Sequence, residues 1–212
     1  MSLKNKRILI TAGPTWVPID KVRVISNIAS GETGILLAKK FIELGAKVTL
    51  LLGPAELAYL SNDFKLIRFR FFDELKDALF RELKTKKYDI VIHSAAVSDY
   101  GPTKIYSQKI PSGIKRLKLE LVPTLKIINL IKKIAPAVFL VGFKFEPGVT
   151  KEKLLREAKN LIKEANLDLG VANSAGAKRY SAYILNNGII YGPLCSKKNM
   201  VNKLAGILRK EI

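Results

Sequence analysis

Five short apolar runs, most of them closing on small residues, alternate in this chain with stretches whose apolar positions recur every three or four residues. The runs are RILITAG (7–13), AKVTLLLGP (46–54), YDIVIHSAAV (88–97), AVFLVGFKFE (137–146) and LDLGVANS (167–174). TGILLAKKFIELG (33–45), DELKDALFRELKTKK (73–87) and KEKLLREAKNLIKEAN (151–166) carry the helical spacing. A near-continuous apolar strand is one covered on both faces, and strands separated by helices run parallel with right-handed crossovers. The pattern predicts an α/β chain, a Rossmann-like three-layer fold built on a mainly parallel sheet. Ligands on such sheets bind beyond the carboxyl ends of the strands. TAGPTW, GPAE and HSAAVSDYGP are therefore the candidate loops, gathered at one rim.

The other elements fit around this frame. KLIRFRFF (65–72) alternates and reads as a third strand, with Asp73 as the cap of the helix that follows. From 101 the chain turns polar and turn-rich in GPTKIYSQKIPSGIK; LKLELV (117–122) then alternates like a strand, and PTLKIINLIKKIAP (123–136) reads as helical up to Pro136. SAYILNNGIIYGP (181–193) is a C-terminal hairpin turning on Asn187-Gly188, and KKNMVNKLAGILRKEI (197–212) closes with a helix. No repeat and no shift in composition interrupts the 212 residues, so residues 1–212 are read as one domain.

Composition narrows the function. Hydrophobic residues make up 48%, enough for a substantial core. The apolar start is too short for a signal peptide, and no run approaches a membrane span, so a cytoplasmic address without a membrane partner is expected. Cys195 is alone and cannot form an internal disulfide; His93 is the one histidine and leaves no zinc set. A formal charge of +19 attracts polyanions. The lysines, however, are spread without long blocks, and aromatics do not interleave with them as in a stacking platform. No nucleic-acid partner is expected.

Familiar nucleotide motifs are missing. Neither GxxxxGK[ST] nor GxGxxG occurs; TAGPTW supplies a single glycine, Gly13, after the first strand. Tyr100 and Lys104 stand at the YxxxK spacing of short-chain dehydrogenases, but Gly101 and Pro102 between them oppose the helix that pair requires. A nicotinamide-dependent reductase is thus the weaker alternative. The small, polar stretch ISNIASGETG (25–34) instead leads into the first helix, some fifteen residues later than a dinucleotide loop would. Backbone N–H groups at a helix N-terminus suit a phosphate, so Ser30, Gly31 and Gly34 are candidate phosphate binders. Arg23 is a candidate bidentate donor to the same group.

Four separated segments remain: TAGPT-x₄-D (11–20), RVISNIASGETG (23–34), AAVSDY (95–100) and QKI (108–110). With VPTL and VGFKFE they resemble phosphopantothenate–cysteine ligase, in order along nearly the whole chain. The resemblance implies a modified nucleotide site on a Rossmann-like fold. The implied reaction activates the carboxylate of 4'-phosphopantothenate with CTP or ATP, releases pyrophosphate, and couples the acyl-nucleotide to L-cysteine. Asn27 matches the asparagine that stabilises the acyl-nucleotide, and Lys109 the lysine facing the triphosphate. Gly13, Ala95, Ala96, Asp99, Pro123 and Phe143 match the nucleotide side, with Arg23, Asn27, Ser30, Gly31 and Gly34 toward the acid.

Such ligases use Mg²⁺ on the triphosphate, for which no protein ligand is nominated. They are typically homodimers, here with the hairpin and segment 101–118 as the contacts or flaps. Many members are fused behind a flavin-binding decarboxylase. No such half stands in these residues, so no flavin is expected in the chain and a decarboxylase is a possible partner. Several positions depart from the pattern. Pro111 and Ser112 follow Lys109 where many bacterial members have further lysines, which leaves CTP and ATP both open. Ser174 replaces the Asp of VAND, Lys159 and Lys163 are the nearest match to a basic pair, and His93 receives no catalytic role.

Overall fold

The computed structural model describes residues 3–55, 64–176 and 180–212; Glu56, the end of the candidate loop GPAE, lies outside the described residues. The elements are β1 (Arg7–Ala12), β2 (Trp16–Pro18), β3 (Val24–Ser26), α1 (Glu32–Glu43), β4 (Lys47–Leu52), β5 (Lys65–Arg68) and α2 (Phe72–Thr85). Then come β6 (Ile90–His93), β7 (Tyr100–Pro102), β8 (Leu121–Pro123), α3 (Ile128–Ile134), β9 (Phe139–Phe145) and α4 (Lys151–Ala165). Finally β10 (Leu169–Ala175), β11 (Tyr180–Asn186), β12 (Ile189–Leu194) and α5 (Lys197–Glu211) complete the chain.

The main sheet has eight strands in the order β12-β11-β10-β9-β6-β1-β4-β5. Pairings from β10 to β5 are parallel, and the expected hairpin adds β11 and β12 antiparallel at one edge. Its turn residues Asn187 and Gly188 both have positive φ, 46° and 82°, as a type I′ turn demands. Side chains alternate between faces. Ile8, Ile10 and Ala12 of β1 join the core under α1 and α5, while Leu9 joins the one under α2 and α3. This is the three-layer architecture the alternating runs predict. The chain winds outward from β1 to β4 and β5, then returns to the other side of β1 as β6. That reversal opens a crevice between the carboxyl ends of β1 and β6.

The local departures each have a physical reason. LKLELV forms a strand only at Leu121–Pro123, and β8 pairs with β7 in a separate two-stranded ribbon. Leu117, Leu121 and Val122 are exposed, so their alternation does not mark a core-facing strand. The helix expected over 123–136 starts only at Ile128. Thr124 holds the preceding residues extended through its N–H to the Asp99 carbonyl (2.9 Å) and its hydroxyl to the Ser98 carbonyl (2.6 Å). Asp73 does not cap α2, which begins one residue earlier; Glu74 accepts the N–H groups of Arg70 (2.6 Å) and Phe71 (3.2 Å) there. KLIRFRFF leaves the sheet after Arg68, and Phe69 turns into the core. The antiparallel pair β2–β3 occupies the interval between β1 and α1. Among the described residues, no helix is long and apolar enough to cross a membrane.

Candidate functional site

A cleft of about 990 Å³ lies at the crevice between β1 and β6 and extends past β9 and the start of α3. Gly13, Asn27, Ser30, Gly31, Gly34, Ala95, Ala96, Asp99 and Phe143 all line it. Three further sequence candidates, Arg23, Lys109 and Pro123, stand outside its lining.

One wall is the start of α1. Gly31 adopts φ 74°, which lets the chain turn into the helix, and no side-chain cap closes the first turn. The Ser30 hydroxyl makes only a long contact of 3.4 Å with the N–H of Glu32. The first-turn amides are thus left for a ligand, with the positive end of the helix dipole behind them. The helix reaches this place because Gly34 has no side chain: a Cβ there would lie 2.3 Å from the Cβ of Ala12 in β1.

The facing wall is the loop after β6, strapped to the α1 approach by Asn27. Both acceptors of the Asn27 Nδ2 group are backbone carbonyls, Ala96 at 3.2 Å and Val97 at 3.1 Å. That pairing fixes the amide orientation and leaves Oδ1 as the atom offered to a ligand. Below, buried Thr15 and Ser98 lock the first loop to the same wall: the Ser98 N–H reaches Thr15 Oγ1 (2.9 Å) and its hydroxyl reaches the Thr15 carbonyl (3.2 Å). No sequence signal singles out this hydroxyl pair. Asp99 pairs with Lys126, a cation at the cleft that the sequence reading did not select.

Arg23 serves a different neighbour. Asp20, 4% exposed, accepts the N–H groups of Val22 (2.8 Å), Arg23 (2.8 Å) and Ile110 (3.0 Å), together with Arg23 Nη1 (2.6 Å). These bonds, the Ile110 N–H foremost, hold the carboxyl well below the usual range. Arg23 also donates to the Ile110 carbonyl at 3.1 Å. The clamp therefore fixes the residue beside Lys109, while Lys109 itself is exposed and has no partner among the described residues.

Three more polar groups line the cleft. Asn173 Oδ1 and the Tyr180 hydroxyl are buried without partners among the described residues, and burial pushes Tyr180 up to about 12. His93 also lines the cleft, lowered to about 4 by burial and therefore neutral near pH 7. Lys197, at the start of α5, pairs with Glu32 at the start of α1. Lys159 and Lys163 instead flank a second cavity of about 430 Å³ between α4 and the hairpin turn. Tyr100 lies in ribbon strand β7, and Lys104 Nζ sits 5.2 Å from the Tyr106 ring centre, so the two share no helix face. Among the described residues no group of three or more His, Cys, Asp or Glu side chains could hold a metal ion.

Residues 3–205 match the family described as the DNA/pantothenate metabolism flavoprotein C-terminal domain. The coenzyme A biosynthesis bifunctional protein CoaBC of Thermococcus kodakarensis is 42% identical over 177 residues, covering 83% of this chain and 43% of that protein. CoaBC of Borreliella burgdorferi is 34% identical over 214 residues, covering 97% of this chain and 53% of that protein. The chain spans about half the length of these relatives. The crystal structure of a CoaBC C-terminal domain superposes with a TM-score of 0.80 at 26% identity, covering 100% of this chain and 98% of that one. With the family matched from residue 3 to residue 205, this chain belongs to the DNA/pantothenate metabolism flavoprotein C-terminal domain family.

Proposed function

We propose that residues 1–212 act as one ligase domain of coenzyme A biosynthesis, joining 4'-phosphopantothenate to L-cysteine at the expense of CTP or ATP. One observation carries the reading. The uncapped first turn of α1 and the Asn27-strapped loop after β6 face each other across a single cleft, in a chain of this family. Amides at a helix start suit phosphate, and small Ala95 and Ala96 admit a ligand close to the backbone.

In the first step a carboxylate oxygen of the acid attacks the α-phosphorus. A P–O bond forms, the bond to the β-phosphate oxygen breaks, and pyrophosphate leaves. In the second, the cysteine amine attacks the acyl carbon, the acyl–oxygen bond breaks, and the nucleoside monophosphate departs as the nitrogen loses a proton. Asn27 Oδ1 is an acceptor, so it is assigned to the attacking amine and the orientation of the intermediate. Mg²⁺ is treated as part of the nucleotide substrate, and no step is routed through it.

Lys109 and Arg23 are assigned to a homodimer in which the 101–118 arm of one copy covers the cleft of the other. Exposed Val22, Ile105, Ile114, Leu117, Leu121 and Val122 support that assignment, because they give the arm and its surroundings an apolar surface. No flavin is assigned to this chain, and a decarboxylase would be a separate partner or a fused half. The cytoplasm is the assigned compartment. The reductase alternative finds no support in the positions of Tyr100 and Lys104.

The test supplies phosphopantothenate, cysteine, Mg²⁺ and either CTP or ATP. Pyrophosphate should appear only when the acid is present, and the faster nucleotide identifies the base. No acid-dependent pyrophosphate with either nucleotide ends the proposal.

A further inference from the structure

His93 is the chain's single histidine and the last residue of β6. Strand register sets it between Thr11 of β1 and Gly142 of β9. These three stand two residues beyond Leu9, Val91 and Leu140, which pack into the core under α2 and α3. Period-two alternation places the His93 side chain on that same face. Gly142 agrees, because a Cβ there would lie 2.9 Å from Ile128 Cδ1 of α3. The imidazole thus belongs to the part of the cleft bounded by Ala95, Asp99, Thr124, Lys126 and Ile128, across the sheet from α1.

Its tautomer follows from its neighbours. Thr11, fully buried, has its hydroxyl oxygen 2.9 Å from His93 Nδ1, and the same oxygen accepts the Ala95 N–H at 3.3 Å. If Nδ1 carried the proton, the Thr11 hydroxyl hydrogen would be buried with no acceptor. Thr11 therefore donates to Nδ1, and the ring proton sits on Nε2. Among the described residues Nε2 has no hydrogen-bond partner, yet it is not among the unpaired atoms sealed from solvent. It opens into the cleft.

We propose that His93 is a further substrate-contacting residue whose Nε2–H donates to an acceptor atom on the base or ribose of the nucleotide. The inference rests on the ligase reading, which assigns Ala95, Asp99, Pro123 and Phe143 to the nucleotide side. A buried, uncharged donor suits a carbonyl, ring nitrogen or sugar oxygen, whereas the phosphates find the amides of α1 and Lys109. Burial alone accounts for the depressed basicity of the ring, which keeps it neutral through the working pH range.

A single histidine permits a direct test, since ¹⁵N-imidazole spectra contain one ring. The expected spectrum has protonated Nε2 and bare Nδ1 and holds unchanged from pH 8 to about 5. Saturating Mg–CTP or Mg–ATP should shift the Nε2–H signal, and phosphopantothenate alone should leave it in place. In turnover, His93→Leu should raise KM for the nucleotide roughly tenfold, the loss of one neutral hydrogen bond. His93→Gln, which keeps a donor, should recover part of that, and KM for the acid should stay within twofold in both. An Nδ1-protonated ring, a signal unmoved by nucleotide or moved by the acid alone, or an unchanged nucleotide KM in His93→Leu each overturns the assignment. Should wild-type protein release no acid-dependent pyrophosphate, the ligase reading falls, while the titration with nucleotide still decides whether His93 meets it.

Discussion

Replacing Gly34 by alanine tests how α1 is seated. The added Cβ would lie 2.3 Å from the Cβ of Ala12 and 3.3 Å from Ser94 Oγ. Carbon atoms rest about 3.5–4.0 Å apart, so the first contact is short by more than about 1 Å. Ala12 cannot yield that distance: it is 1% exposed and its strand is hydrogen-bonded on both sides by β4 and β6. The start of α1 must therefore move. Overpacking costs about 1–3 kcal/mol, and alanine in a helix returns about 1 kcal/mol relative to glycine. The net loss is about 0–2 kcal/mol, or a few degrees in Tm for a domain of this size. The effect on catalysis should be far larger, because displacing a binding element by about 1 Å can cost on the order of 100-fold. Calorimetry would give Tm, and acid-dependent pyrophosphate release would give kcat/KM. Adding Ala12→Gly removes the opposing methyl group, so the double variant should regain most of the lost rate. A Gly34→Ala protein within threefold of wild type in kcat/KM, or a double variant no better than the single, refutes the reasoning.

Two other substitutions probe the walls of the cleft. Asn27→Asp exchanges the two N–H bonds to the Ala96 and Val97 carbonyls for a carboxylate facing them; it should still release pyrophosphate but accumulate acyl-nucleotide, seen by mass spectrometry, and normal coupling to cysteine would contradict the role of Asn27. The folded-state pKa of Asp20 lies below its ordinary value near 3.8, so its stabilisation is complete above about pH 4 and is lost as pH falls through the lower folded value. Hydrogen-exchange protection of the Ile110 amide should therefore hold from pH 7 to about 4 and then drop, whereas Asp20→Asn should show weak protection at every pH; equal protection in both proteins would dismiss the clamp.

The parallel sheet was legible because its strands are covered on both faces and its helices on one. Ile8 through Ile10 and Ile90 through Ile92 are buried and apolar without interruption, as strands covered on both faces are. The ribbon β7–β8 was not legible. Leu117, Leu121 and Val122 imitate a strand that faces a core, yet no core lies beneath them. Glycine and small residues marked loops that line the cleft, since close approach leaves a compositional trace. The bonds that join those loops leave none. Thr15 and Ser98 are ordinary loop residues until residues 83 positions apart are brought together, and nothing near Asp20 in sequence discloses Ile110. His93 received no role because a histidine at a strand end is often structural, and the Thr11 partner that orients its ring is 82 residues away.

The late arrival of the turn proposed to bind phosphate finds its explanation in that long-range bonding. A dinucleotide loop goes straight from the first strand into the first helix, and the helix start then has the loop's own glycines for a boundary. Here the interval between β1 and α1 carries β2, β3 and Asp20, and the interval between β6 and α3 carries the ribbon and the arm with Lys109. The two insertions are bound to each other by the Asp20 carboxylate on the Ile110 N–H, by Arg23 on the Ile110 carbonyl, and by Tyr106, whose N–H donates to the Ile19 carbonyl at 2.9 Å. Asn27 then ties the last part of the first insertion to the Ala96–Val97 backbone. One chain segment therefore sets both the distance between α1 and the loop after β6 and the position of the arm. A shorter β1–α1 connection could still present amides to a phosphate, but it would leave the arm without an anchor.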